Sequence, residues 1–185
     1  MNVYDFDGTI YNGDSSIDFY FYSLFRKPKI LLCLSKQLFA FILYFLKIID
    51  KTRLKEEFFS FVKFVDVEEF VNDFWYKNKC KIFKWYLEQK TNEDVIISAS
   101  PEFLLKSICE TIGVNCLIAS KVSSINGKFS GKNCSGEEKV NRFKEIFGDS
   151  IIDSFYSDSE KDLPLARLSK RPYKVIRGKV KKWYI

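Results

Sequence analysis

Residues 1–9 of the chain read MNVYDFDGT, and the expected fold and chemistry both start from this stretch. The apolar residues up to Tyr4 predict a short strand, and Gly8 lets the chain turn sharply away from it. Because residues two apart on an extended chain point the same way, the carboxylates of Asp5 and Asp7 are expected to face one site. Two such carboxylates attract a hard cation such as Mg²⁺, and their repulsion raises one pKa. One can then attack phosphorus while the other transfers a proton.

Strands and helices alternate along much of the remaining sequence, which favours an α/β fold. Apolar, β-branched runs predict further strands at residues 94–98, 115–119, 150–157 and 173–176, with helices between them. Such alternation implies a parallel sheet with helices on both faces. This is a Rossmann-like architecture, in which ligands bind at the carboxyl ends of the strands.

One long helical stretch interrupts this alternation directly after the first strand. From residue 15 to about residue 90 the pattern is helical and rich in aromatic residues. Because this stretch cannot belong to the sheet, we interpret it as an inserted helical cap. The sequence therefore predicts a catalytic core made of residues 1–13 and 89–185, and a cap domain made of residues 14–88.

The composition narrows the possible chemistry. The chain has 185 residues, of which 46% are hydrophobic and 29% charged, as in an ordinary globular protein. It has no histidine, which excludes Ser-His-Asp hydrolases, Cys-His proteases, HExxH metallopeptidases and phosphohistidine phosphatases. The five cysteines form no CxxC pair, so a reducing cytoplasm is the expected location.

Three later features fall at the same predicted sheet edge as the first two aspartates. Ser98 ends the second predicted strand, where a hydroxyl and a helix N-terminus can bind an anion; it can equally be a plain helix cap. Lys139 lies in the first turn of a helix that we expect Ser135 to cap. A cation is unfavourable there unless an anion faces it, although a lone lysine is often only solvated. Asp158 and Asp162 follow the fourth predicted strand and can complete a Mg²⁺ site or cap a helix.

These motifs, taken together and in this order, resemble those of haloacid dehalogenase superfamily phosphatases. The likeness is to the branch with a helical cap after the first motif, which includes phosphoserine phosphatases and phosphatidylglycerophosphate phosphatases. It implies a Mg²⁺-dependent phosphatase that hydrolyses a phosphomonoester through an aspartyl-phosphate on Asp5. By that resemblance the catalytic residues are Asp5, Asp7, Ser98 and Lys139, the metal-site residues are Asp5, Asp7, Asp158 and Asp162, and the substrate contacts are Gly8, Thr9, Asp14 and Ala99.

The substrate and the reaction partner stay open at this stage. Phosphoserine phosphatases place an acid nine residues after the nucleophile, where this chain has the shorter Asp14. Phosphoserine and a lipid head-group phosphate are both candidate substrates. A phosphotransferase would use the same residues, and a degenerate family member acting as a binding or membrane-interaction module is the non-enzymatic alternative.

Two segments raise the question of a membrane or protein partner. Residues 30–49 are strongly apolar but interrupted by Lys36, so they predict a helix buried in the cap or in a homodimer, an interfacial helix, or a membrane span. Residues 167–185 hold eight basic residues and no acid, which is typical of a solvated terminus or of a patch for anionic lipid. No nucleic-acid reader pattern accompanies the charge, so nucleic acid is not expected as a partner.

Overall fold

The computed structural model describes all 185 residues and contains one mixed sheet of six strands. The strand order is β3-β2-β1-β4-β5-β6, in which β6 is antiparallel to β5 and all other neighbours are parallel. The strands are β1 (Asn2–Tyr4), β2 (Val95–Pro101), β3 (Cys116–Ser120), β4 (Ile152–Ser157), β5 (Ser169–Ile176) and β6 (Lys179–Lys182). The predicted α/β fold is confirmed.

Helices account for the chain between β1 and β2 and for most of the later connections. The α-helices are α1 (Ser15–Arg26), α2 (Leu34–Phe45), α3 (Lys51–Phe59), α4 (Val67–Asn78), α5 (Lys84–Gln89), α6 (Glu102–Thr111), α7 (Glu137–Phe147) and α8 (Leu163–Ala166). Aspartates cap three of them, because Asp14, Asp50 and Asp66 accept hydrogen bonds from first-turn backbone N–H groups of α1, α3 and α4. The division into a core and a cap domain remains a prediction.

The pleat of the sheet sorts its apolar side chains into two cores. Tyr4 and Ile96 point to one face and join a cluster of 25 buried residues, which also takes in Phe19 and Phe59 from the helices between β1 and β2. Val3 and its strand neighbours on the other face join a cluster of ten buried residues with side chains of α7 and α8. Helices therefore cover both faces, and the first cluster fixes the helical segment onto the sheet.

The start of α7 differs from the sequence-based expectation. The N-cap of α7 is Gly136 rather than Ser135, and no side chain caps the helix. Gly136 has a φ of 61°, a conformation that glycine adopts at little cost and serine does not. Lys139 still lies in the first turn of the helix, which places its side chain at the sheet edge.

The basic C-terminal segment is also not a solvated terminus. Residues 169–182 form β5 and β6, which pair as a hairpin through a turn at Arg177 (φ 50°) and Gly178 (φ 75°). The sequence did not indicate β6, because its four residues, KVKK, show no apolar alternation. Lysines on this outer strand discourage further strand pairing.

The apolar segment before α3 is far more exposed than a helix buried in the cap would be. Residues Pro28–Phe45 form a 3-10 turn (Pro28–Cys33) followed by α2, and are long and apolar enough to cross a membrane, yet only 17% of this window is buried. Ala40 is the only buried residue of α2. The interpretation of this segment as a helix buried in the cap is therefore wrong.

Candidate active site

The carboxyl ends of three adjacent strands build the site. Because β1 lies between β2 and β4, the residues that follow these strands meet at one edge of the sheet. A cavity of about 580 Å³ opens there. Of the predicted site residues, the cavity is lined by Asp5, Asp7, Asp14, Ser98, Ala99, Lys139, Asp158 and Asp162.

Lys139 links two carboxylates at the base of the cavity. Its ammonium lies 2.6 Å from Asp5 Oδ1 and 2.7 Å from Asp162 Oδ2, and all three side chains are almost fully buried. The hydroxyl of Ser157 also donates to Asp162 Oδ2, at 2.7 Å. Burial raises the pKa of Asp5 and Lys139 opposes that rise, while the two carboxylates raise the pKa of Lys139. The contact with Lys139 takes only one oxygen of Asp5 and leaves Oδ2 without a hydrogen-bond partner.

Asp7 is held by neutral donors. The Ser15 N–H donates to Asp7 Oδ1 at 2.7 Å, and the Ser100 hydroxyl donates to Asp7 Oδ2 at 2.5 Å. Burial, followed by repulsion from Asp14, raises the pKa of Asp7 to about 6. A carboxyl group with this pKa can both release and accept a proton near neutral pH.

Asp158 packs directly against the turn after β1. Its backbone N–H donates to Thr9 Oγ1 at 2.9 Å, and its carboxylate abuts Gly8, where a Cβ would overlap it. Burial raises the pKa of Asp158, and repulsion from Asp162 adds to the rise. Gly8 has a φ of 71° and therefore serves the turn both by its conformation and by its lack of a side chain.

Two of the predicted substrate contacts are not brought to the cavity. Gly8 and Thr9 do not line it, and both of their backbone N–H groups donate to carbonyl oxygens within the 6–13 turn. Asp14 does line the cavity, but its Oδ1 caps α1 by accepting from the N–H groups of Ser16 and Ile17 at 3.0 Å. The role of Asp14 as a substrate contact remains a prediction.

The end of β2 is tied to helix α3 by a lysine that sequence reasoning missed. The ammonium of Lys55 donates to the Ala99 carbonyl at 2.7 Å and to Asn133 Oδ1 at 2.8 Å. Burial, followed by repulsion from Lys51, lowers its pKa to about 8. Beside Ala99, the Ser98 hydroxyl accepts from the Ser100 N–H at 3.1 Å, which orients it at the cavity wall.

Several other residues that line the cavity were not predicted from the sequence. They include the basic side chains of Lys51, Lys55 and Lys161 and the hydroxyl groups of Ser16, Ser100 and Ser159. The spacing of Lys51 and Lys55, one helical turn apart, puts both on one face of α3. That spacing was a usable signal, but only the packing of α3 over the sheet edge shows that this face meets the aspartates.

The donor set fits a hard divalent cation that also binds substrate. Asp5 Oδ2 and both carboxylate oxygens of Asp158 accept no hydrogen bond from the protein, and both residues line the cavity. The carboxylates of Asp7 and Asp162 are instead engaged by hydroxyl, N–H and ammonium donors. No three His, Cys, Asp or Glu side chains converge as a complete metal site. Mg²⁺ suits such a partial set, because it retains waters and binds phosphate oxygens.

Comparison with known proteins agrees with this geometry. The model of the haloacid dehalogenase-like hydrolase family matches residues 3–167. Protein CicA of Caulobacter vibrioides is 32% identical over 92 residues, which cover 46% of this chain and 41% of CicA. The histidinol-phosphatase of Neisseria meningitidis serogroup C is 28% identical over 96 residues, covering 45% of this chain and 43% of that enzyme. The matched stretch thus spans about two fifths of the length of these relatives.

The fold is also shared with solved structures. A phosphoserine phosphohydrolase-like protein from Francisella tularensis superposes with a TM-score of 0.60, at 15% sequence identity, over 93% of this chain and 86% of its own. At this identity the likeness concerns the fold. It supports the predicted architecture, and the family match confirms the resemblance that the motifs indicated.

Proposed function

The chain belongs to the haloacid dehalogenase-like hydrolase family, and on that premise we propose that it hydrolyses phosphomonoesters through a covalent phosphate intermediate on Asp5. The observation that carries the proposal is the Asp5–Lys139 contact. Lys139 holds one oxygen of Asp5 and leaves the other free in the cavity, where it can attack phosphorus. The similarity to a histidinol-phosphatase, an enzyme named for a phosphomonoester, supports the same reaction class.

In the first step, Asp5 Oδ2 attacks phosphorus and the bond from phosphorus to the ester oxygen breaks. Protonated Asp7 gives its proton to the departing alkoxide, which leaves as an alcohol. Lys139 and the Ser98 hydroxyl lie where they can offset the negative charge on the phosphoryl oxygens. An acyl phosphate on Asp5 remains, and Asp7 is ionised.

In the second step, a water molecule attacks phosphorus on the side that the alcohol has left. Asp7, now ionised, takes a proton from this water, and the bond between phosphorus and Asp5 breaks. Inorganic phosphate leaves, and both aspartates return to their starting states. The raised pKa of Asp7 suits this alternation, because neither of its protonation states is strongly disfavoured near neutral pH.

Mg²⁺ is the proposed cofactor, held by the carboxylates of Asp5 and Asp158 and the backbone carbonyl of Asp7, with Asp162 supporting the site through Lys139. When bound, it would neutralise negative charge between the nucleophile and the phosphoryl oxygens. Asp158 stays in place for this role because its N–H is bonded to Thr9 and its carboxylate packs against Gly8.

Phosphoserine and a lipid head-group phosphate are the two proposed kinds of substrate. Lys51, Lys55 and Lys161 at the cavity favour an anionic ligand of either kind. Asp14 is the residue available to an amine such as that of phosphoserine. Apolar side chains that line the same cavity, including Leu38 and Phe41, are better suited to a lipid.

Turnover of an aryl phosphate, with and without Mg²⁺, tests the proposal. We expect release of inorganic phosphate that EDTA abolishes and added Mg²⁺ restores. Asp5→Asn should lower kcat by about 10³-fold or more, because the amide cannot form the acyl phosphate. Asp149→Asn, which changes an exposed carboxylate just after α7, should behave like the wild type.

The outcomes separate the alternatives. Transfer of the phosphoryl group to an added alcohol in preference to water would identify a phosphotransferase. Absence of turnover on aryl phosphate, phosphoserine and phosphatidic acid, in a folded protein with Mg²⁺, would favour the non-catalytic binding module and overturn the proposal.

A further inference from the structure

Helix α2 turns its apolar side away from the rest of the protein. Leu34, Leu38, Phe41, Ile42 and Phe45 recur at helical spacing and share one side of the helix, and all are exposed, with Phe45 at 79%. The opposite side carries Ala40, the one buried residue of the helix. This is the reverse of a surface helix in a water-soluble protein, where the apolar side faces the core.

The neighbouring segments enlarge this surface. We call the whole surface the apolar face; it comprises Leu31, Leu32, Leu34, Leu38, Phe39, Phe41, Ile42, Phe45, Leu46 and Ile48, each at least 40% exposed. Helix α1 packs against the turn at 28–33 and adds the exposed side chains of Phe21 and Phe25. An apolar patch of this extent on a monomer marks a surface that another molecule or a membrane covers.

The charges around the apolar face indicate what covers it. Residues 19–49 contain no acid, but they contain five exposed bases, Arg26, Lys27, Lys29, Lys36 and Lys47. A second copy docked through the same face would bring ten like charges together, which is unfavourable. An anionic bilayer offers both an apolar interior and a surface that attracts lysine and arginine.

Two hydrogen bonds hold α2 against the rest of the protein, and they favour a helix that lies on a bilayer over one that crosses it. Gln37, in the first half of α2, donates to the Phe58 carbonyl at 3.0 Å and accepts from the Tyr20 hydroxyl at 2.9 Å. A crossing helix would carry these buried-side contacts, and the charge of Lys36, into the hydrocarbon layer. A helix lying in the interface keeps both and buries only its outer side.

The same side of α2 reaches the candidate active site. Leu38 and Phe41 belong to the apolar face and also line the cavity that contains Asp5 and Lys139. The mouth of the cavity therefore opens beside the apolar face. A phosphate group carried on a membrane lipid could enter the cavity without its acyl chains leaving the bilayer.

We propose that the apolar face docks on an anionic lipid bilayer as an interfacial helix, which places the cavity at the membrane surface to receive a lipid phosphomonoester. The docking rests on the exposure of the apolar face and on the bases around it. The substrate class rests in addition on the proposed phosphatase function.

Vesicle co-sedimentation tests the docking. The full chain should sediment with phosphatidylcholine–phosphatidylglycerol vesicles at low salt and much less with phosphatidylcholine alone. Phe39→Gln/Phe45→Gln changes two exposed side chains outside the cavity and should weaken binding by about tenfold or more. The matched control is Ile125→Gln/Ile146→Gln, which removes two exposed apolar side chains elsewhere and should bind as the wild type does.

Two results would overturn the docking. One is that wild type and control do not bind the anionic vesicles. The other is that the chain dimerises in solution, the Phe39→Gln/Phe45→Gln variant is monomeric, and neither binds vesicles, which would assign the apolar face to a second copy. Circular dichroism and the unfolding midpoint establish that each variant is folded.

Activity separates the substrate class from the phosphatase function. Wild type and Phe39→Gln/Phe45→Gln should hydrolyse a soluble aryl phosphate equally, while the variant should lose about tenfold on phosphatidic acid in anionic vesicles. Vesicle binding with aryl phosphate turnover but none of phosphatidic acid would overturn the substrate class alone. Vesicle binding with no turnover of either would overturn the phosphatase function and leave the docking intact.

Discussion

The ammonium of Lys139 lies 2.6 Å from Asp5 Oδ1, although Lys139 is in the first turn of α7, where the helix dipole disfavours a cation. The contact with Asp162 at 2.7 Å adds a second anion. Two buried carboxylates thus offset both the dipole and the loss of water around the ammonium. A lysine at this end of the helix is stable because the carboxylates of the candidate site lie directly in front of it.

Lys139→Met tests this arrangement. The variant leaves two buried carboxylates without their cation, so the free energy of unfolding should fall by about 3–5 kcal/mol. Aryl phosphate turnover should fall by about 10²-fold or more among molecules that remain folded. Urea unfolding and turnover measure the two effects. Lys144→Met, on the exposed side of the same helix, is the matched control; equal stability of the two variants would contradict the prediction.

Sequence reasoning placed Asp5, Ser98 and Asp158 together because strand ends in a parallel sheet share an edge, which is a local rule applied to each strand. It could not place Lys55, because the position of α3 over that edge depends on packing among the aromatic side chains of the helices. It also missed β6, whose pairing comes from the Arg177-Gly178 turn and not from an apolar pattern. Local rules therefore predict which residues lie at the strand ends, whereas the position of Lys55 depends on tertiary packing and cannot be predicted from them.

Gly8→Ala should impair the metal site more than it impairs the fold. The added Cβ would overlap the carboxylate of Asp158, so that carboxylate must move. We expect weaker Mg²⁺ binding, seen as a higher Mg²⁺ concentration for half-maximal turnover, and a stability cost of about 1–3 kcal/mol. Gly113→Ala is the matched control, since Gly113 has a φ of 73° but meets no atom closer than 3.7 Å. A Mg²⁺ requirement unchanged from that of Gly113→Ala would count against a role for Asp158 as a metal ligand.

Asp7→Asn should stabilise the metal-free protein at neutral and alkaline pH. Burial raises the pKa of Asp7 from 3.8 to about 6, so the folded state binds more protons than the unfolded state between these values. The cost of the ionised carboxylate grows as the pH rises through that window and is complete above about pH 6. The full shift corresponds to about 3 kcal/mol, and partial exposure of the side chain reduces this to about 1–2 kcal/mol.

Urea unfolding in EDTA at about pH 4 and about pH 8 measures the effect of Asp7→Asn. The gain over wild type should be small at the acid end and larger at the alkaline end, while turnover is lost. Asp149→Asn, at an exposed position, should show no such pH-dependent difference. A gain that is the same at both pH values would mean that ionisation of Asp7 is not its source.

Lys55→Met should affect substrate binding more than the chemical steps. The ammonium of Lys55 holds the Ala99 carbonyl and the Asn133 side chain, and so positions the end of β2 next to Ser98. Its loss leaves the Ser120 hydroxyl as the remaining side-chain donor to the Ala99 carbonyl, at 3.0 Å. The end of β2 should become less ordered, and KM for aryl phosphate should rise by about tenfold with a smaller fall in kcat. Lys63→Met, an exposed lysine next to α3, is the matched control. Lys55→Arg keeps a donor and a charge, so its KM should lie between those of Lys55→Met and the wild type. If Lys55→Met lowers kcat and leaves KM unchanged, Lys55 acts on the reacting phosphate itself.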